Sequence, residues 1–307
     1  MALALSTSWN ACKHTDSRSM LFEISQLKFS EIELSFNLTP GMIKEIPKAM
    51  FDFGFKAVSL HNYCPIPESF EREDALPDCY SISSLNQNER ELAVKYTKNT
   101  IDTASRLKAS FVVLHSGRVE IEDKTKKLIS LYENKGKGSD EFNDLKKSFI
   151  QERKKAVLPF LDSAISSIDE LSQYAKDRGV SLGIENRVYY REIPSFEEIG
   201  IILERFNHRN VFYWHDTGHA KIMQNLGFTE NDDYLESYGN RLAGVHLHNV
   251  SGFLDHQPLQ KGDLDFSAIT RHLKKNTIKV IEVHQPSTSE DIIKSREFLE
   301  EIFNGII

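Results

Sequence analysis

The sequence predicts a single (β/α)8 TIM barrel that occupies residues 1–307. Eight short β-rich segments recur along the chain, and most are separated by stretches in which apolar residues repeat with helical spacing. This alternation is typical of parallel strands joined by crossover helices. The length of 307 residues also suits one barrel that carries insertions. We therefore favour a closed barrel over an open sheet.

The predicted strands are short runs rich in apolar residues. In chain order they are Leu3–Ser8, Glu31–Phe36, Ala57–His61, Phe111–His115, Ser181–Glu185, Val211–Asp216, Ala243–His248 and Ile278–Val283. Helical spacing of apolar residues predicts helices over residues 93–107 and 158–175. We expect the second helix to be kinked near its start by Pro159 and to stop at Gly179. Residues 195–198 match a capping box, which predicts the start of the following helix.

One charged segment exceeds what a minimal barrel needs. Residues 118–155 follow the fourth strand, are dense in Lys, Glu and Asp, and are interrupted at Gly136 and Gly138. A solvated helical insertion is the simpler interpretation. A lid or a contact between copies in a homo-oligomer is the alternative, because loops after barrel strands leave from the mouth that carries active sites.

Composition narrows the possible partners and the compartment. The formal net charge is -7, so nothing in the total indicates the basic surface of a nucleic-acid-binding protein, although a local basic patch is not excluded. The three cysteines match no zinc or disulfide pattern. The N-terminus lacks the features of a signal peptide, and no apolar run approaches the roughly 18 residues of a membrane helix. We expect a cytoplasmic protein with no membrane partner.

Side chains able to bind metals stand at the ends of six consecutive predicted strands. They are His61, His115, Glu185, Asp216 with the nearby His219, His246 with His248, and Glu282 with His284. Strand C-termini converge on the barrel mouth. So many buried carboxylates and imidazoles would carry a large desolvation cost unless a cation compensated them. Mixed carboxylate and imidazole groups suit Zn²⁺, Mn²⁺, Co²⁺ or Fe²⁺ better than Ca²⁺.

The motifs around these residues carry a resemblance to a known family. GIEN ends the fifth strand, HDTGHA the sixth and VHLHN the seventh, and DHQPLQKGDLDF follows. In this order and spacing, the chain resembles the xylose-isomerase-like TIM-barrel superfamily. That superfamily includes sugar isomerases and epimerases, related dehydratases and endonuclease IV. The resemblance covers nearly the whole chain.

The resemblance implies a role for each matching residue. Glu185, Asp216, His246 and Glu282 match the four ligands of one divalent metal, for which Zn²⁺ or Mn²⁺ is expected and Co²⁺ or Mg²⁺ is an alternative. In epimerase-like members, glutamates matching Glu185 and Glu282 also move protons on opposite faces of the substrate. His219 matches a histidine that contacts substrate in isomerases or a further metal in endonuclease IV, and we include it among the catalytic candidates.

Additional metals are implied only by the endonuclease branch. His61 and His115 match histidines that hold a further zinc there, and His256 matches a ligand of its third zinc. That third site also needs an aspartate two residues before the histidine, where this chain has Leu254. We expect the adjacent Asp255 to point elsewhere, which argues against a third metal.

Four further residues are candidate substrate contacts. Arg187 has the forked guanidinium that suits hydroxyl, carboxylate or phosphate groups. His248 and His284 each lie two residues beyond a proposed ligand and share its strand face. Trp9 stands at the end of the first strand, although packing is the commoner role for such a residue.

Two enzymatic hypotheses follow, with a third from another class. The first is a metal-dependent isomerase, epimerase or related lyase acting on a small carbohydrate or polyol. The alternative is a zinc phosphodiesterase resembling endonuclease IV with a multinuclear site. A non-catalytic barrel would need a vestigial metal site, and the complete set of four candidate ligands argues against it. The sequence does not identify the substrate.

Overall fold

Eight parallel strands close into a barrel in the computed structural model, which describes residues 2–230 and 233–305. The barrel strands are β1 Ala4–Ser6, β2 Glu31–Leu34, β3 Lys56–His61, β4 Phe111–Leu114, β5 Ser181–Glu185, β6 Val211–Asp216, β7 Leu242–Leu247 and β10 Ile278–Ile281. β10 pairs with both β7 and β1 and so closes the ring. Each of the eight predicted strands is confirmed within two residues at each end.

A short antiparallel hairpin stands outside the barrel wall. It consists of β8 Asn249–Ser251 and β9 Leu254–Gln257, directly after β7. The helices are α1 Ser17–Ser25, α2 Pro40–Phe53, α3 Gln87–Leu107, α4 Thr125–Lys135, α5 Asp140–Lys176, α6 Phe196–Arg205, α7 Thr217–Asn225, α8 Asp233–Tyr238, α9 Phe266–Thr270 and α10 Ser289–Phe303. None of the helices within the described residues is both long and apolar enough to cross a membrane.

Local sequence signals explain where several helices start and end. The predicted capping box is present at α6, where the Glu198 carboxylate accepts from the Ser195 N–H at 2.8 Å and the Ser195 hydroxyl accepts from the Glu198 N–H. The turn after α5 contains Gly179 with φ 68°, as its predicted stop requires. The position expected for Pro159 is wrong, because α5 begins at Asp140 and places the proline near its middle.

The charged insertion is helical but not simply solvated. It forms α4 and the first half of α5, and the chain breaks between them at Gly136–Gly138 as predicted. Apolar side chains on one side of these helices pack against α7 and β8. The buried members of this cluster are Leu128, Phe142, Phe149, Ile222, Met223, Leu226 and Val250. The insertion is therefore fixed beside the barrel mouth by its own small core.

Trp214 fills the interior of the barrel. It is fully buried with Ala4, Val58, Val113 and Val280, in a cluster distinct from the core between the barrel and its helices. Glycines on neighbouring strands leave space for the indole. A Cβ at Gly244 would lie 2.3 Å from the Trp214 ring. Because Asp216 lies two residues further along β6, its side chain shares the inward face and points to the mouth above this plug.

Candidate metal centre and its surroundings

The four side chains matched to one metal meet at the barrel mouth. Ligand atoms of Glu185, Asp216, His246 and Glu282 all lie within 4.8 Å of one another, and all four residues are buried. Strand geometry produces this convergence, because each residue stands within one position of the C-terminal end of β5, β6, β7 or β10. Asp216 also caps α7, where its carboxylate accepts from the His219 N–H at 2.7 Å.

His246 lies at the centre of this group. Its Nδ1 atom is 2.6 Å from Glu185 Oε1, 2.9 Å from Glu282 Oε2 and 3.8 Å from Asp216 Oδ2. Burial lowers the pKa of His246, but the surrounding carboxylates, led by Glu282, raise it well above its ordinary value. The Nδ1 atom is therefore the ring nitrogen that faces the other three candidate ligands.

The other ring nitrogen of His246 contacts a carboxylate deeper in the barrel. Its Nε2 atom lies 3.0 and 3.1 Å from the two oxygens of Glu33, which is completely buried on β2. Glu33 in turn accepts a hydrogen bond from the Ser59 hydroxyl at 2.7 Å. Metal-binding histidines commonly use their second nitrogen in this way, which fixes the tautomer and the ring orientation.

The charge of the donor set fits a divalent cation. Burial raises the pKa of Glu185, but hydrogen bonds to His115 and His246 lower it well below its ordinary value. Asp216 and Glu282 also have pKa values below their ordinary range, in spite of burial, because histidines surround them. Three ionised carboxylates and one imidazole in a buried cluster are the ligand types that Zn²⁺ and Mn²⁺ accept. The residues present therefore fit such an ion.

His61, His115 and Glu185 form a second cluster with metal-ligand composition. Arg187 enters this cluster: its Nη1 atom lies 2.6 Å from His115 Nε2 and 2.7 Å from Glu185 Oε2. Burial and Arg187 lower the pKa of His115 while Asp78 raises it, with a net value of about 9. The same Nε2 atom lies 2.8 Å from Glu185 Oε2, so it contacts the guanidinium and a carboxylate together.

A third cluster corrects one expectation from the sequence. Asp255 does not point away: its carboxylate and ring nitrogens of His219 and His256 lie within 4.8 Å of one another. The expectation assumed that side chains alternate along an extended strand. His256 has φ 51°, in the left-handed region, and this breaks the alternation of β9 so that neighbouring side chains share one side.

The histidines of this cluster are held by backbone carbonyls. His219 Nδ1 lies 3.0 Å from the Asn186 carbonyl, and His256 Nδ1 lies 3.0 Å from the Glu282 carbonyl. Burial lowers the pKa of His219 to about 4, so its ring is neutral near pH 7. His219 therefore donates through Nδ1 and keeps its Nε2 lone pair available for a ligand. The Nε2 atom of His256 lies 3.8 Å from Asp255 Oδ2.

The candidate substrate contacts differ in what they already bind. His248 Nε2 lies 3.0 Å from both oxygens of Asp216, and its Nδ1 accepts from the His256 N–H at 2.9 Å, so His248 holds Asp216 in place. His284 stacks on His256 at 3.7 Å, and its buried Nε2 has no hydrogen-bond partner among the described residues.

Trp9 does not support the substrate contact expected of it. The side chain is completely buried in the core between barrel and helices. Its indole N–H donates to the Ser287 carbonyl at 2.9 Å, so its only polar group is already satisfied. We therefore assign Trp9 to packing.

Sequence reasoning missed three acidic residues of the site. The sequence does contain a signal for Glu33, because it is a charged residue within a predicted strand. Asp78 and Glu192 lie in loops after β3 and β5, and both contact Arg187, at 3.6 and 3.4 Å. No strand pattern locates such residues, because their positions depend on the path of the loops.

Comparison with known proteins confirms the suspected superfamily. A model of the xylose isomerase-like TIM barrel family matches residues 21–302. An uncharacterized protein of Methanocaldococcus jannaschii is 23% identical over 222 residues, which cover 71% of this chain and 65% of that protein. The match thus spans slightly less than two thirds of that relative. A second uncharacterized protein of this organism is 22% identical over 215 residues, covering 68% of each chain.

Solved structures share the whole architecture. A D-tagatose 3-epimerase-like protein has a TM-score of 0.69 at 20% identity, covering 99% of this chain and 97% of that one. An L-ribulose 3-epimerase has a TM-score of 0.71 at 16% identity, with 99% and 95% covered. A putative xylose isomerase from Rhodospirillum rubrum has a TM-score of 0.70 at 16% identity, with 98% of both chains covered. With a family match over almost its full length, this chain belongs to the xylose isomerase-like TIM barrel family.

Proposed function

We propose that the protein is a metal-dependent isomerase or epimerase that acts on a small carbohydrate or polyol. One observation carries this proposal: the carboxylates of Glu185 and Glu282 both approach the same nitrogen of His246, at 2.6 and 2.9 Å, in one buried donor set. The arrangement provides two ionised carboxylates, one on each of two strands, at a site that can also hold a cation. Removal of a proton beside a carbonyl on one face and its return on the other can use such a pair as base and acid.

The metal-binding residues in this proposal are Glu185, Asp216, His246 and Glu282. The donor set favours Zn²⁺ or Mn²⁺, and Co²⁺ or Mg²⁺ are further possibilities. When bound, the cation supplies positive charge that polarises a carbonyl or hydroxyl oxygen. Asp216 is fixed for its role by His248, and His246 is fixed by Glu33.

Proton transfer is assigned to the two glutamates. One carboxylate removes the proton from the carbon beside the carbonyl, and the other returns a proton to the opposite face. His219 and His284 contact substrate hydroxyls, because the Nε2 atom of His284 lacks a partner among the described residues and that of His219 remains available. The proposed substrate class agrees with the names of the sugar epimerases that share this fold.

The test is proton exchange in D₂O. Chelator-treated protein is reloaded with Mn²⁺, Co²⁺ or Zn²⁺ and incubated with ketoses such as D-tagatose, D-fructose and L-ribulose. Proton NMR then follows loss of the signal at the carbons beside the carbonyl, together with any new sugar. We expect metal-dependent exchange that Glu282→Gln and Glu185→Gln abolish. Exchange that survives Glu282→Gln undiminished would remove this residue as acid or base.

A phosphodiesterase is the second candidate, and the third cluster favours it. Asp255 joins His219 and His256, so one objection to a multinuclear site is removed. Two-metal hydrolysis needs ions about 3.5–4 Å apart that stabilise the attacking and leaving oxygens. Zinc-loaded protein should then cleave bis-p-nitrophenyl phosphate or abasic-site DNA. We rank this candidate second because Arg187 already occupies the donor atoms at His115 and Glu185.

A further inference from the structure

We propose that the guanidinium of Arg187 serves as a built-in cation in the cluster of His61, His115 and Glu185, and thereby excludes a metal ion from it. The inference deepens the proposed function, on which it rests, because it assigns a single metal to the four-residue centre. It concerns residues whose composition alone would indicate a second metal site.

The hydrogen-bond geometry leaves the cluster without a free ligand set. His115 Nε2 lies 2.6 Å from Arg187 Nη1 and 2.8 Å from Glu185 Oε2. The other ring nitrogen, Nδ1, lies 3.1 Å from Asp78 Oδ1. Both nitrogens of His115 are therefore engaged. Glu185 Oε2 receives the same Nη1 group at 2.7 Å.

Two further carboxylates hold Arg187 in this position. Its Nη2 atom lies 3.4 Å from Glu192 Oε1 and 3.6 Å from Asp78 Oδ2, and the side chain is 6% exposed. An arginine keeps its charge under all ordinary conditions, so the site permanently contains a positive group. A divalent ion bound beside it would meet like-charge repulsion at low local dielectric constant, and would have to displace the guanidinium from its carboxylates.

The two carboxylate oxygens of Glu185 also have different contacts. Oε2 binds Arg187, whereas Oε1 faces His246 and the four-residue centre. Arg187 is therefore a positioning residue for Glu185, which presents one defined oxygen to the metal and the substrate. The site would then hold one metal ion and the fixed guanidinium of Arg187. Such a site suits proton transfer better than hydrolysis by two metal ions.

Metal stoichiometry tests the inference. Chelator-treated wild type, Arg187→Met and Arg187→Lys are titrated with Co²⁺, followed by visible absorption, and the ion content is checked by elemental analysis after dialysis. We expect Arg187→Met to gain about one further divalent ion per chain, because the freed carboxylates and imidazoles then form a complete site. Arg187→Lys keeps a cation there and should retain the wild-type content. The double variant Arg187→Met/His115→Ala should lose the gained ion again.

A second variant keeps the inference testable if Arg187→Met fails to fold. His115→Ala in the wild-type background should leave the metal content unchanged, because His115 binds Arg187 rather than a metal. A wild-type ion that is lost in His115→Ala, or a well-folded Arg187→Met that gains no ion, would overturn the inference. If the four-residue centre does not bind metal, the wild-type protein will take up no ion. In that case, the gain of an ion by Arg187→Met still tests whether Arg187 excludes a metal.

Discussion

The Nε2 atom of His246 lies 3.0 Å from Oε1 of Glu33, while Nδ1 of the same ring faces Glu185, Glu282 and Asp216. Glu33 thus holds the imidazole in the orientation that turns Nδ1 towards the other candidate ligands. The pair links the buried interior of β2 to the candidate centre at the mouth.

Glu33→Gln should weaken metal binding by about 10- to 100-fold, as expected when a histidine ligand loses its supporting carboxylate. The affinity is measured by competition with a chromophoric chelator. Glu31→Gln is the matched control, since it makes the same chemical change on the same strand, where Glu31 pairs with Lys56 at 3.5 Å. Equal affinities for the two variants would show that Glu33 does not support His246.

Gly244→Ala should destabilise the barrel, because a Cβ at this position would lie 2.3 Å from the Trp214 ring. Overpacking of this kind costs about 1–3 kcal/mol of folding stability, or more if the Trp214 side chain cannot shift. The free energy of unfolding is measured by urea denaturation. Gly239→Ala is the control, because a Cβ there meets no atom within 4 Å. Similar stabilities for both variants would mean that the interior tolerates displacement of Trp214.

Arg153→Met should cost about 3–5 kcal/mol of stability, because it leaves a buried carboxylate without its partner. Arg153 donates to the two oxygens of Glu198 at 2.6 and 2.8 Å and joins α5 to α6. Arg209→Met removes an arginine from a solvent-exposed pair with Asp169 and should cost less than about 1 kcal/mol. Denaturation curves of both variants check the difference, and equal costs would contradict the importance of burial.

The metal-free protein should lose stability as the pH falls below about 6.5, and His215 contributes to this loss. Burial lowers the pKa of His215 from 6.5 to about 3 in the folded state. Between these values the unfolded chain binds a proton that the folded chain does not, so stability decreases with falling pH, by at most about 1.4 kcal/mol per pH unit. His215→Gln should reduce this slope between pH 5 and 6.5 in urea titrations. An unchanged slope would show that His215 titrates normally in the folded protein.

Much of the fold and part of the site followed from the sequence. Parallel strands end at one mouth, so Glu185, Asp216, His246 and Glu282 could be expected to meet there. Glu33 was missed because its strand, Glu-Ile-Glu-Leu, does not reveal from the sequence alone whether its charged face is inside or outside the barrel. The positions of the four candidate ligands follow from strand geometry, which is regular.

The remaining differences arise where the backbone is not regular. The position of Asp255 was wrong because His256 adopts φ 51° within β9. Asp78 and Glu192 reach Arg187 from loops, whose paths the sequence does not determine. The insertion was expected to be solvated because its charges dominate the sequence, yet Phe142 and Phe149 share one helix face and are buried.

The metal content of the wild-type chain tests the central claim most directly. Protein without a histidine tag is purified without chelators, and its metals are determined by elemental analysis, with Asp216→Asn as the comparison. We predict about one divalent ion per wild-type chain, lost in Asp216→Asn, since a four-ligand site holds a single ion. Two or more ions per chain, or an ion that persists in Asp216→Asn, would contradict it.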